Sequence, residues 1–260
     1  MRGGRSTGLV AFLLAWSVLQ ATSTSFAADL PPRGSAAQAT PEGRLLRKAC
    51  DVGSRTYRWL TANPTWQAHA RSLGAALATV PGHGTILDVG VGPGVSTIHM
   101  ALANTQDRFI GLDFSRGMLA LARVEVARHD LAARVGLLGG DAAHLPLRSG
   151  SLKGVTTHSL LYLTRDRGGV LREMHRTLRP QGMLILTEPR AGLQLGFLKQ
   201  ALRDPRHALA MLASRAASST FGGFRGRDLE ALVRQAGFVD VEANPVLDGM
   251  MLELRARRPE

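Results

Sequence analysis

Between positions 85 and 256, short apolar runs alternate with segments whose apolar residues recur at helical spacing. The runs predict strands over 85–89, 108–113, 134–139, 154–158, 183–187, 239–243 and 250–256. Leu119, Ala122 and Val126 fall at i, i+3 and i+7 behind Ser115, a residue type that caps helix N-termini. Leu171, Met174 and Leu178 repeat that spacing, and Leu229, Leu232, Val233 and Ala236 form a fuller stripe that Gly237 ends. Strands that alternate with helices argue for βαβ units around a parallel sheet. Only Asn244 to Gly249 separate the last two runs, too few residues for a helical crossover, so these two strands should pair antiparallel at the sheet's edge. The fold class is therefore α/β: a doubly wound, mostly parallel seven-stranded sheet with an antiparallel last strand.

Ahead of this region the pattern changes. Arg2 and Arg5 precede an apolar stretch from Gly8 to Leu19, and small polar residues then lead to Ser25-Phe26-Ala27. A basic start, a short apolar centre and a small-x-small tripeptide are the three parts of a secretory signal. Residues 1–28 are thus expected to be a leader that exports the chain or associates it with a membrane; the alternative is a cytoplasmic protein with a mis-assigned start. Residues 29–43, with Pro31-Pro32 and Pro41 among small residues, read as a linker. Residues 44–79 carry Tyr57, Trp59 and Trp66 among aliphatic residues and predict one or two helices. Residues 80–260 form the main domain, interrupted at 190–225 by an apolar insertion expected to be a helical lid.

Composition narrows the classes. Hydrophobic residues at 45% and charged residues at 20% of a 260-residue chain exclude wholesale disorder. The net charge of +12 is nearly all arginine, because Lys48, Lys153 and Lys199 are the only lysines. No basic run is interleaved with aromatics, so the excess reads as solvated surface, with no clear nucleic-acid site. Cys50 stands alone, which excludes an intramolecular disulfide and a cysteine metal cluster, and no HExxH pairing occurs among the eight histidines. No metal is expected.

The chemistry is concentrated at strand ends. Ile86-Leu87-Asp88-Val89-Gly90-Val91-Gly92-Pro93-Gly94 carries a buried-type strand into a glycine-rich turn and then a helix from Val95 to Ala103. Such turns bring main-chain amides to a ligand at the carboxyl ends of parallel strands. A dinucleotide fingerprint would need glycines at 90, 92 and 95, but Val95 breaks it and Gly94 stands instead; the missing G-K-[ST] excludes a P-loop. Asp88 ends an apolar strand and needs donors, for which loop amides and a ligand ammonium are natural partners. Asp113 ends the next strand, and its two carboxylate oxygens suit a ribose diol. Gly140-Asp141-Ala142 follows the third strand. His158, Ser159 and Tyr162 follow the fourth and are placed to face a substrate, whereas His99 and His175 sit within helices and read as structural.

The D-x-G-x-G-x-G pattern from Asp88 to Gly94 resembles the first motif of class I S-adenosylmethionine-dependent methyltransferases. Residues 80–190 are similar to the ubiquinone/menaquinone-biosynthesis-like branch of that family. The resemblance implies S-adenosyl-L-methionine as cofactor, with Asp88, Gly90, Gly92 and Gly94 around its amino-acid part and Asp113 on its ribose. It further implies Phe114 and Met118 against the adenine or ribose and Asp141 and Ala142 at the adenine; His158, by its place at the ligand-facing end of the fourth strand, is expected to line the cofactor. Methyl transfer follows, with no catalytic residue assigned, and the apolar residues of the 190–225 insertion point to a small, hydrophobic acceptor, quinone-like or lipidic. Two departures stand out: Lys153 where the branch often has an acid, and Gln181 where glycine is common. Two alternatives stay open, an NAD(P)-binding oxidoreductase and a non-catalytic binding protein that retains the fold, the latter prompted by the leader because S-adenosylmethionine is made in the cytosol.

Overall fold

The computed structural model describes Arg58 and residues 62–164, 166–192 and 223–260. The expected leader, the linker, most of 44–61 and the insertion from 193 to 222 lie outside the described residues.

Helix α1 (Pro64–Ala78) opens with Asn63, whose side chain accepts the Trp66 N–H at 2.9 Å, and with Pro64 in the first turn, where a missing N–H costs nothing. There follow β1 (Thr85–Val89), α2 (Val95–Ala103), β2 (Arg108–Asp113), α3 (Arg116–Arg128), β3 (Val135–Gly139) and β4 (Leu152–His158). A 3₁₀ turn (Leu161–Leu163) leads to α4 (Arg167–Thr177) and β5 (Leu178–Pro189), and the chain ends with α5 (Gly226–Gln235), β6 (Val239–Val246) and β7 (Met251–Arg257). Ser115 caps α3 as predicted, accepting from Met118 N at 3.2 Å, and Gly237 follows α5 at φ 97°.

The sheet order is β3-β2-β1-β4-β5-β7-β6. Strands β1 to β5 pair in parallel, and β7 runs antiparallel to both β5 and β6, which gives the predicted antiparallel ending. Leu178 is a correction. It was expected to continue the stripe of α4 but begins β5, pairing with Leu152 in extended geometry at ψ 141°. Pro180 disfavours the helical region for Arg179 and so ends the helix early.

The period-2 alternation of the strands divides the core between two faces. Leu87, Val89, Val155, Leu184 and Leu186 pack on one side with Val170 and Met174 of α4 and Leu229 and Val233 of α5. Ile86, Phe109, Met183 and Ile185 pack on the other with Leu73 and Leu77 of α1 and Ile98 and Met100 of α2. Gly74 permits that second layer to close, because a Cβ there would lie 2.4 Å from the Met100 carbonyl oxygen. Lys153 is an exception to the solvated-surface reading of the basic residues. It is buried, with Nζ 2.7 Å from Asp107 Oδ2, and Asp107 also accepts from Asn104 Nδ2 at 2.8 Å and Gly84 N at 2.9 Å. The second departure, Gln181, holds φ at 59°, a conformation that glycine adopts without strain.

The expectation of export or membrane anchoring is corrected. No helix among the described residues is long and apolar enough to cross a membrane. The longest, α1, has 15 residues, about 22 Å at a helical rise of ~1.5 Å per residue, against a hydrocarbon core of about 30 Å.

From β1 the chain winds one way through β2 to β3, then returns to place β4 on the other side of β1. Open α/β sheets bind ligands at such a switch point, beyond the carboxyl ends of the strands. The insertion departs from this same end: Ala191 N donates to Phe224 O at 2.8 Å and Phe224 N to Pro189 O at 2.9 Å, so its two ends meet where β5 stops.

Candidate functional site

At the switch point lies a cleft bounded by Asp88, the turn from Gly90 to Pro93, Ser96 of α2, Trp66 of α1 and His158 of β4. Strand alternation determines which groups reach it. Asp88 shares its sheet face with Ile86 and therefore turns toward α2, where Thr97 Oγ1 donates to its Oδ2. The other oxygen, Oδ1, is buried without a partner among the described residues. Burial pushes the Asp88 carboxyl up to about 7; the Thr97 hydrogen bond pulls it down and the charge of Asp113 adds to the rise. The expected loop amides do not serve Asp88. Gly92 N donates instead to Asp113 Oδ2 at 2.9 Å.

Gly90, Gly92 and Gly94 have φ of 77°, 52° and 87°, the left-handed region that a side chain would strain. The turn hangs from β2 through Gly90 N and Val91 N, both donating to Leu112 O, at 2.8 and 3.0 Å. Asp113 is buried, with Oδ1 accepting from Ser115 N at 2.8 Å. Burial raises its carboxyl, and the main-chain N–H groups of Ser115, Gly92 and Phe114 oppose that rise.

Of the three residues expected after β4, His158 alone lines the cleft. Both its ring nitrogens are buried without hydrogen-bond partners among the described residues. Burial pushes the imidazole down to about 3, and His69 acts in the same direction. Its ring centroid lies 5.3 Å from that of Trp66, whose Nε1–H donates to Ser96 Oγ at 3.2 Å. Tyr162 packs instead into the core shared with α4 and α5, because Val155 and Leu184 face that side, whereas Ser159 holds φ 52° and donates its N–H to Thr187 O at 2.8 Å.

Other expected residues stand at the neighbouring strand ends and outside the cleft wall. Phe114 is 48% exposed and Met118 half-buried in the first turn of α3. Asp141 is exposed beyond β3, with Oδ1 accepting from Ala143 N at 2.9 Å and Oδ2 lying 3.3 Å from His144 Nδ1, and Ala142 packs on the core. His99 is buried in α2 and His175 stacks edge-on against Phe238 at 4.9 Å, as structural histidines.

Four residues near the cleft were not singled out from the sequence. Thr97 follows Asp88 by nine residues on α2, a contact that a strand-end motif does not signal. Trp66 and His69 come from α1, where their spacing reads only as helix packing. Glu188 sits in the apolar run of β5, fully buried, accepting from the main-chain N–H groups of Leu160, Leu161 and Tyr162 at 3.2, 2.8 and 3.2 Å. Burial pushes its carboxyl up to about 7 against those three donors. It fixes the turn that follows His158.

Chemically, the cleft offers a turn with bare main chain, an orphaned carboxylate oxygen and a neutral imidazole. An unpartnered buried polar atom costs about 1–3 kcal/mol, so Asp88 Oδ1 fits a ligand that brings a donor, above all a cationic one. Asp113 retains lone pairs for further hydroxyl donors. Among the described residues no group of three or more His, Cys, Asp or Glu side chains could hold a metal ion.

Comparisons with known proteins agree with this geometry. Residues 86–182 match the family model described as a methyltransferase domain. The demethylmenaquinone methyltransferase of Geobacillus kaustophilus is 33% identical over 175 residues, which span 63% of this chain and 74% of that protein. Among solved structures, a SAM-dependent methyltransferase from Aquifex aeolicus superimposes with a TM-score of 0.59 at 14% identity, over 78% of this chain and 97% of that one. Haemonchus contortus phosphoethanolamine N-methyltransferase 2, solved with S-adenosyl-L-methionine, gives 0.60 at 16% identity over 81% and 57%. These two likenesses are of fold.

Proposed function

The chain belongs to the class I S-adenosylmethionine-dependent methyltransferases, and on that premise we propose that the switch-point cleft holds the cofactor and that the acceptor is a small, hydrophobic, quinone-like molecule. The chain is an enzyme of methyl transfer, with S-adenosyl-L-methionine as its cofactor. When bound, that cofactor supplies a methyl group already activated by its sulfonium.

The observation that carries the placement is the free Oδ1 of Asp88 beside the bare turn. Asp88 pairs with the amino-acid ammonium, Gly90 and Gly92 leave bare main chain at the cleft, and Gly94 lets the turn enter α2 close to Ala122 and Ile98, where a Cβ would crowd them. Asp113 accepts from the ribose hydroxyls while it holds the turn through Gly92. Phe114 and Met118 cover the adenine or ribose, and Asp141 with Ala142 borders the adenine beyond β3. Trp66 and His158 close the methyl-bearing end and exclude water, so that an acceptor is held in line with the bond to be broken, a task of proximity and orientation.

The acceptor reading is supported by the Geobacillus relative, a demethylmenaquinone methyltransferase, and by the apolar insertion that leaves from the carboxyl end of β5. Its test is transfer of label from methyl-tritiated S-adenosylmethionine, with the full chain, to a prenylated 1,4-naphthohydroquinone, to a water-soluble aliphatic alcohol or to phosphoethanolamine. Label in the extracted quinol is the expected result; label only in phosphoethanolamine or the alcohol contradicts the reading.

A further inference from the structure

The cofactor reading gives His158 a wall to form and leaves its two buried, unpartnered ring nitrogens without a task. Behind it stands a second buried histidine. The ring of His69 meets that of His158 edge-on, centroids 5.7 Å apart, and His69 Nε2 lies 3.4 Å from Thr187 Oγ1 and 3.8 Å from Glu253 Oε2. Glu253 is bridged at 2.7 Å to Arg255, whose side chain is half exposed. Polar groups of α1 and of the β5–β7 seam therefore back the His158 ring on the side away from the cleft.

We propose that His158 takes up the proton that a phenol-like acceptor loses during methyl transfer, and that His69, edge-on behind it and held near Thr187 and Glu253, positions the ring that does so. The proposal rests on the quinone-like acceptor reading above. In the step an acceptor–hydrogen bond breaks and its proton ends on a ring nitrogen of His158. The electron pair left on the acceptor forms the bond to the methyl carbon, and the carbon–sulfur bond breaks with its pair on sulfur. The proton stays on His158 until the methylated product leaves and is then lost to solvent from the opened cleft, and no oxidant, reductant or further reactant is required.

Charge favours this assignment. Methyl transfer removes the positive charge of the sulfonium from the cleft, and protonation of His158 restores one, so the net charge facing Asp88 stays constant through the step. Before it, His158 is neutral, since burial holds its imidazole down, helped by His69; so weak a base gains the proton only as the bond to the methyl carbon forms and acidifies the acceptor's hydrogen. The groups that face it are His69 from α1, Asp88 from β1 and, through His69, Thr187 from β5 and Glu253 and Arg255 from β7. Glu188, next along β5, turns to the opposite face to accept from the 160–162 amides and takes no part. In these terms His158 is a catalytic residue and His69 a positioning one.

The test uses the full chain labelled with ¹⁵N-histidine, saturated with S-adenosylhomocysteine, and 1-naphthol as the probe. One imidazole should shift on addition of naphthol. The response should vanish in His158→Asn and persist in His69→Gln, where the titration of His158 should move upward because His69 no longer opposes its protonation. His158→Gln serves equally should the asparagine variant fold poorly. Turnover of the naphthohydroquinone by His158→Asn, at saturating S-adenosylmethionine, should fall about 100-fold in kcat, the usual scale of general-base catalysis. Naphthol that binds, as its own fluorescence reports, without any response of His158 overturns the proposal and leaves the acceptor reading standing. No binding of naphthol at all removes that reading and the proposal together.

Discussion

The main-chain N–H of Gly92 donates to Asp113 Oδ2 at 2.9 Å, tying the turn after β1 to the acid that ends β2. Ser115 N occupies the other oxygen at 2.8 Å, so one carboxylate shapes the glycine turn and starts α3 before any ligand arrives. Its replacement by alanine should therefore cost more than the ribose contact. Asp113→Ala is expected to weaken S-adenosylmethionine binding by more than the about 1.5–3 kcal/mol of one hydrogen bond to a charged group. Removal of the 2′-hydroxyl from the ligand should cost wild type only that single contact. Calorimetry on both pairs separates the effects, and equal losses would show that the tie to Gly92 has no bearing on binding.

Asp88 links binding to pH. Its folded carboxyl stands at about 7, above the ordinary value of 3.8, so in the free protein the folded state holds a proton that the unfolded state has released. This contribution to stability is full below the unfolded value and is lost as pH rises through about 7. Glu188, also at about 7, acts with the same sign. Thermal unfolding of the ligand-free protein should thus be easier at pH 8 than at pH 5.5 on account of these two groups. A ligand ammonium reverses the preference at Asp88, so binding near pH 6 should release a proton, seen as a dependence of the calorimetric heat on buffer ionisation. Asp88→Asn should abolish that release and most of the affinity; an unchanged release would remove Asp88 from the ammonium.

Lys153 and Asp107 form a buried pair at the end of the sheet opposite the cleft. Lys153→Ala leaves the carboxylate with Asn104 and Gly84 alone, and removal of one partner from a buried pair costs about 3–5 kcal/mol. Denaturant unfolding should show a loss of that size with S-adenosylmethionine affinity of the folded variant unchanged. A loss below about 1 kcal/mol, the scale of exposed pairs, would mean that the pair is solvated.

Gly74 controls how closely α1 approaches α2. A valine there would drive its Cβ to within 2.4 Å of the Met100 carbonyl unless the helices part. Because Trp66 and His69 ride on α1, parting them should loosen the wall of the cleft. Gly74→Val should lower both stability and cofactor affinity, with a blue-to-red change in Trp66 emission as its ring meets water. Full affinity in this variant would show that α1 does not form part of the site.

The sheet could be read from the sequence because its signals are local. β1, β2 and α2 have the expected bounds, since apolar runs end there in Asp and Gly, and the Asn244–Gly249 spacing alone dictated the antiparallel ending. Leu178 was misplaced because its spacing suits α4, while Pro180 acts through the residue before it. Of the cleft's lining, Asp88, Gly90, Gly92 and His158 were visible as strand-end residues, as were Asp113 and Gly94, which lie beside it. Their partners were not: Thr97 serves Asp88 in place of the expected loop amides and Gly92 serves Asp113, while Trp66 lines the cleft and His69 and Glu253 stand behind His158, brought there from α1 and β7 only by the packing of α1 on the sheet and of β7 beside β5.

The central claim is that the cleft bounded by Asp88, the glycine turn and His158 binds S-adenosylmethionine. Its most direct test is a calorimetric titration of the full chain with S-adenosylmethionine, S-adenosylhomocysteine and NADH, repeated on Asp88→Asn. Binding of the two sulfur nucleotides but not of NADH, with affinity for S-adenosylmethionine lost in the variant, is the predicted result; binding of NADH alone, or unaltered affinity in the variant, would contradict it.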